Sequence, residues 1–131
     1  MVLVFFLMLL AHIIDDFVLQ PICLSKLKQK EIWKKYNKET NNLYENDYKV
    51  ALFIHGLSWS ILVHLPIIFY FGLYNSVVVF FSVLFHAIIH SVVDDYKANK
   101  KRISLIYDQY AHFGQICIVF CLFLNLNSFI V

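Results

Sequence analysis

Residues 76–97 read SVVVFFSVLFHAIIHSVVDDYK. A membrane helix takes about 20 mostly apolar residues, with a range of about 17 to 25, and residues 76–93 meet that demand without one Asp, Glu, Lys or Arg. The stretch therefore reads as a membrane span that ends in Asp94-Asp95-Tyr96-Lys97. Inside it His86, His90 and Asp94 stand four residues apart, so they share one helix face. Ionisable groups within a span cost about 2.5–3.5 kcal/mol each on insertion scales, so such a stripe needs a reason.

The rest of the chain agrees with the span. Of 131 residues, 60% are hydrophobic, 18% aromatic and only 15% charged, and the mean hydropathy is +0.67. This excludes a disordered chain and a multidomain protein, and it leaves too few charges to cover a soluble globule of this size. Three further runs qualify as spans, giving helices over about 2–19, 50–74, 76–93 and 103–127. Gln20-Pro21 ends the first, Pro66 predicts a kink in the second, and residues 72–75 make a short turn after it. The fold class is all-α: one domain over residues 1–131, a four-helix integral membrane bundle with connectors at 20–49 and 96–102.

All eleven basic residues lie in two clusters, Lys26 to Lys49 and Lys97 to Arg102, while the turn near Asn75 and both ends carry none. The positive-inside rule puts the charged connectors in the cytoplasm and both termini outside, the expected topology of a multi-pass protein of the bacterial inner (cytoplasmic) membrane. Leu24, Leu27, Ile32, Trp33 and Tyr36 among the lysines predict either a helix lying on the anionic inner leaflet or a solvated basic hairpin. The first run lacks a basic leader and a cleavage site, so it is expected to be retained. No Gly-rich phosphate loop or nucleic-acid motif is present, and no nucleic-acid partner is expected. The partner is the lipid bilayer, and a bundle this thin predicts a homo-oligomer. Cys23, Cys117 and Cys121 are expected as free thiols, Cys117 and Cys121 as packing residues.

All six histidines fall in the apolar runs and none in the polar connectors. With the topology above, His12, Asp15 and Asp16, then His86, His90 and Asp94, then Asp108, Gln109 and His112 gather in one layer in the cytoplasmic half. Imidazole and carboxylate donors together suit zinc, with manganese or iron as alternatives, better than magnesium or calcium. The candidate ligands of this divalent metal are His12, Asp16, His86, His90, Asp94 and His112. A bound ion lowers the pKa of its water to about 7. The leading expectation is accordingly a metal-dependent hydrolase acting on a lipid or another membrane-proximal substrate, with Asp108 accepting a proton and Lys97 orienting an anionic group. His64 lies deeper and reads as a structural contact, and Asp15 and Asp95 read as solvent-facing.

Polar residues also hold small bundles together by hydrogen bonds of about 0.6–2 kcal/mol, although repulsion among this many acids calls for a cation or protons. Two other functions fit the composition. One is a cation or proton pathway, which the apolar outer half opposes. The other is a non-enzymatic, phage-related membrane effector or partner-binding subunit that docks through its basic connector.

Four ordered motifs carry a family resemblance. They are His12 followed by Asp16-Phe17 and Leu19-Gln20, then His55-Gly56, then His90 with Asp94 and Lys97, then Asp108-Gln109 with His112. Over nearly its whole length the chain resembles a family of small bacterial and prophage-encoded integral membrane proteins known as a domain of unknown function. The resemblance implies His12, Asp16, Gln20, His55, His90, Asp94, Lys97, Asp108, Gln109 and His112 as the functional set. It carries over no established activity.

Overall fold

The computed structural model describes residues 1–20, 22–37, 43–72 and 76–128. Pro21, the turn residues 73–75 and the side chain of Cys23, on which three of the expectations above fall, lie outside the described residues. Every regular element among the described residues is helical: α1 (Val2–Ile13), continued by a π-helical segment (Ile14–Leu19), α2 (Ile22–Leu27), α3 (Lys30–Asn37), α4 (Asp47–Phe71), α5 (Ser76–Ala98) and α6 (Leu105–Ser128). Four stretches are long and apolar enough to cross a membrane: Val2–Leu19, Asp47–Phe71, Ser76–Ala98 and Leu105–Leu126. At about 1.5 Å per residue, the shortest of them still spans about 27 Å.

Local chemistry sets the helix bounds. α4 runs unbroken through Pro66 and ends at Gly72, whose φ of 75° suits glycine and whose N–H closes the last turn on Ile68 O at 2.8 Å. α5 continues past Val93 to Ala98, so Asp94 and Lys97 ride on the same helix as His90. The reversal into α6 is tight, with the N–H groups of Asn99 and Lys100 both on Asp95 O.

The four long helices sort into two zones. Towards one end Val4, Met8, Val63, Ile67, Val79, Val119 and Phe123 form an apolar core. Towards the connector end the interior turns polar, with His12, Asp15, His55, His90, Asp94, Asp108 and His112 all buried. The outer surface is the reverse of a soluble protein: Val2, Phe6, Phe69, Phe81 and Phe85 are all exposed, which suits lipid as the solvent.

α4 and α5 approach closely at Gly56. A Cβ there would collide with Ser91 Oγ and come within 2.5 Å of Ala87 O. Ser91 Oγ donates across the gap to Leu52 O at 3.0 Å, the small-residue contact typical of membrane helix pairs. This contact fixes the distance between His55 and His90, the neighbours in sequence of Gly56 and Ser91.

Among its described residues the long connector forms two short helices. α2 and α3 fold against the polar end of the bundle, with Trp33 Nε1–H donating to Leu27 O at 2.7 Å. Asn99 clamps the turn between them, its Nδ2 donating to Lys28 O at 3.0 Å and its Oδ1 accepting from Lys30 N at 2.7 Å.

Candidate metal centre

The site begins with the π-helical segment. A π turn holds one residue more than an α turn and often marks a functional site. Here it directs the consecutive Asp15 and Asp16 at the two sides of one imidazole. His55 Nδ1 stands 3.4 Å from Asp15 Oδ2, and His55 Nε2 stands 3.4 Å from Asp16 Oδ1. Asp15 is 2% exposed and accepts from Ser58 Oγ at 2.7 Å. The expectation that it faces solvent is therefore corrected: the wider turn carries it inward.

α5 adds His90 and Asp94 on one face. His90 Nε2 is 3.9 Å from Asp16 Oδ1, and Asp94 Oδ2 is 3.5 Å from His55 Nε2. From α6, His112 Nε2 stands 3.8 Å from Asp94 Oδ1 and 3.4 Å from Asp108 Oδ1. Two groups of three thus converge, Asp16 with His55 and His90, and His90 with Asp94 and His112, each with its donor atoms within 4.8 Å of one another. The rings of His90 and His112 stack at 4.0 Å, and Trp59 stacks on His90 at 4.5 Å with its centroid 5.6 Å from that of His112.

These donors fit a cation better than they fit each other. Asp16 Oδ1, both nitrogens of His90, and His112 Nε2 are buried without a hydrogen-bond partner among the described residues, a costly condition for a polar atom. Their spacings of 3.4 to 3.9 Å exceed an ordinary hydrogen bond. They approach the edge of about 3.4 Å that a tetrahedral ion imposes when its ligands stand about 2.0–2.1 Å away. Charge points the same way. Asp15, Asp16, Asp94 and Asp108 face two ammonium groups, Lys28 and Lys97, which leaves two negative charges when the imidazoles are neutral.

The expected site residues divide into those at the centre and those around it. Asp16, His90, Asp94 and His112 meet. His12 is adjacent with both nitrogens engaged: Nδ1 accepts from Trp59 Nε1–H at 2.8 Å and Nε2 donates to Gln109 Oε1 at 3.0 Å. Asp108 Oδ2 accepts from Lys97 Nζ at 2.5 Å, and Lys97 also lies 3.7 Å from Asp94 Oδ1. His86 belongs to neither converging group. It faces His64, ring centroids 5.9 Å apart, because one further turn along α5 lowers it out of the layer. His64 is held structurally, its Nδ1–H on Ser60 O at 2.7 Å and its Nε2 accepting from Ser82 Oγ at 2.8 Å. Gln20 closes the π segment through its backbone N–H on Asp15 O. Cys117 and Cys121 are free, Cys117 half-buried and Cys121 exposed.

Two central residues carried little signal in the pattern. His55 is signalled by its place early in the second span, level with the layer, and by the His55-Gly56 motif, with no acidic partner on its own helix face. Lys28 looked like one connector lysine among seven, yet it is 4% exposed and its Nζ lies 2.5 Å from Asp94 Oδ2. Trp59 was legible in principle, one turn after His55 on the same face of α4.

Four helices long and apolar enough to cross a membrane, enclosing a buried cluster of His and Asp able to hold a metal ion, define the class of protein. A family model covering residues 4–131, described as protein of unknown function (DUF3307), matches the chain, which belongs to that family. No curated protein and no solved structure matches it.

Proposed function

We propose that this chain is a metal-dependent hydrolase of the bacterial inner membrane, acting on a lipid or another membrane-proximal substrate. Both termini lie outside, and the basic connectors and the His/Asp centre lie at the cytoplasmic face, because every basic residue falls in the connectors at the polar end. One observation carries the reading: buried, unpartnered donors on Asp16, His90 and His112 converge with His55 and Asp94 at spacings that suit an ion.

In this reading a divalent ion, zinc first and manganese or iron next, takes three or four of its ligands from Asp16, His55, His90, Asp94 and His112 and keeps a position open for water. When bound, the ion supplies Lewis acidity and a water acidified to about pKa 7. Asp15 acts behind His55, orienting its Nδ1–H so that Nε2 faces the ion, the usual support of a ligating histidine. His12 and Gln109 do the same for Asp16, since Gln109 Nε2 donates to Asp16 Oδ2 at 3.3 Å.

Hydrolysis adds the oxygen of water to the scissile centre and expels a leaving group, so one proton leaves the water and one reaches the departing atom. Asp108 Oδ1 has no hydrogen-bond partner among the described residues and takes the first proton, then returns it. Lys97, whose side chain is 32% exposed, steadies the developing negative charge. The test is turnover by purified protein of phosphatidylglycerol and phosphatidylcholine vesicles, with release of fatty acid and of water-soluble phosphate followed separately. Release that stops on chelation, returns with zinc or manganese and is lost in Asp108→Asn supports the reading. A metal-loaded protein that releases neither product contradicts it.

A cation or proton pathway is the second reading, and one feature favours it. Asp94, His90, His86 and Ser82 form a buried stripe on α5, about 18 Å of helix at 1.5 Å per residue. Beyond Ser82 the interior is the apolar core of Val4, Val79, Val119 and Phe123, which offers nothing to a charge. Proteoliposome flux abolished by His86→Phe would favour the pathway over the hydrolase.

A further inference from the structure

The metal cluster is closed towards the connector by Lys28 and towards the apolar zone by Trp59, both buried. Its side facing α1 and α6 is different. A groove of about 580 Å³ runs between these helices, walled by Ile13, Leu105, Ile106 and Tyr110, with His12 and Gln109 at its base. That volume falls within the range of about 300–1,000 Å³ usual for ligand sites. Gln109 and His12 separate the groove from the cluster, each beside Asp16 Oδ2. Gln109 accepts from His12 on the groove side, and its Nε2 donates to both Asp16 Oδ2 and Asp108 Oδ2 at 3.3 Å.

Two observations identify the occupant. The walls belong to two of the membrane-spanning stretches, and Ile106 and Tyr110 are 66% and 68% exposed, so the groove opens sideways into acyl chains. Its mouth lies at Leu105, three residues after Arg102, and the exposed Lys101 and Arg102 precede it in the chain, with Lys101 Nζ 3.5 Å from Glu31 Oε1 at the surface. A basic rim above an apolar slot complements an anionic headgroup above a hydrocarbon chain. A second groove, of about 440 Å³ between α1 and α4, is walled by Leu3, Leu7, Leu62 and Leu65 and provides the contrast.

We propose that the α1–α6 groove binds an anionic phospholipid, its phosphate on Lys101 and Arg102, its acyl chain along Ile106 and Tyr110, and its ester linkages beside Gln109. This rests on the hydrolase reading and names its substrate class: a lipid that enters from within the bilayer plane. The ester groups of such a lipid lie just inside its phosphate, on the side where Gln109 meets Asp16 and Asp108.

Native mass spectrometry of detergent-released protein, titrated with phosphatidylglycerol or phosphatidylcholine, tests the site. Each of the two rim residues is expected to favour the anionic lipid by about fivefold. Ile106→Trp should abolish the saturable phosphatidylglycerol adduct, Lys101→Gln with Arg102→Gln should remove the preference, and Leu65→Trp in the other groove should change neither. A phosphatidylglycerol carrying a diazirine on its acyl chain should cross-link wild-type protein within residues 105–113, which needs no variant. Equal retention of both lipids by the wild type, or cross-links spread evenly over the four helices, overturns the proposal. Metal content measured on the same samples separates the two claims. Selective lipid binding without metal removes the hydrolysis and leaves the groove, whereas metal without selective lipid removes the groove alone.

Discussion

Lys28 and Asp94, separated by 66 positions in the chain, meet as a buried ion pair at 2.5 Å. The contact ties the connector to the centre of the bundle, and Asn99 holds the backbone on either side of it. Breaking a buried pair by removing one partner costs about 3–5 kcal/mol, because the other charge is left uncompensated. Lys28→Met should therefore lower the unfolding temperature in detergent sharply, and adding Asp94→Asn should restore part of the loss instead of adding to it. Additive losses in scanning fluorimetry would show that the pair is not coupled.

Gly56 tests the helix contact that fixes the spacing of His55 and His90. Gly56→Ala forces a methyl against Ser91 Oγ and Ala87 O, an overpacking expected to cost about 1–3 kcal/mol and to weaken metal binding as the ligands separate. Gly114→Ala meets nothing within 4 Å and should be neutral or stabilising by about 0.5–1 kcal/mol, since alanine is the better helix former. Equal effects of the two substitutions would remove the close approach of α4 and α5 from the account.

Asp15 and Asp16 are adjacent in sequence but differ in role. Asp15→Asn leaves every ligand in place and disturbs only the support of His55, so zinc affinity should fall about 10–100-fold. Asp16→Asn removes a ligand and should cost more. Competition titrations against a chromophoric chelator measure both, and an Asp15→Asn protein with wild-type affinity would contradict the support of His55 by Asp15.

His64 separates the two polar layers. His64→Phe leaves Ser82 Oγ without its acceptor, and a buried polar group left unsatisfied costs about 1–3 kcal/mol. Stability should fall while metal content stays at the wild-type level. Loss of metal in this variant would join the deeper layer to the centre.

The parts of this molecule visible from residue order alone are those with helical periodicity. The span at 76–93 and the His90 and Asp94 face at its end followed from hydropathy and fourfold spacing, and the same rule placed His112 one turn after Asp108. It failed where periodicity changes or gives no depth. An α-helical wheel sets Asp15 and Asp16 about 100° apart, and only the π turn brings both to His55. His86 shares a face with His90 but not a depth, and spacing along one helix does not say which rung the other helices reach. Lys28 was hidden by composition: nothing in its neighbours distinguishes the one connector lysine that turns inward, because the Asn99 clamp that directs it lies 71 positions away.

The most direct test is elemental analysis of protein extracted gently in detergent, beside His90→Ala and Asp94→Asn prepared identically. The account predicts about one equivalent of zinc, manganese or iron per wild-type chain and almost none in either variant. Wild-type protein that is folded, free of these metals and unable to take up zinc on titration would contradict it.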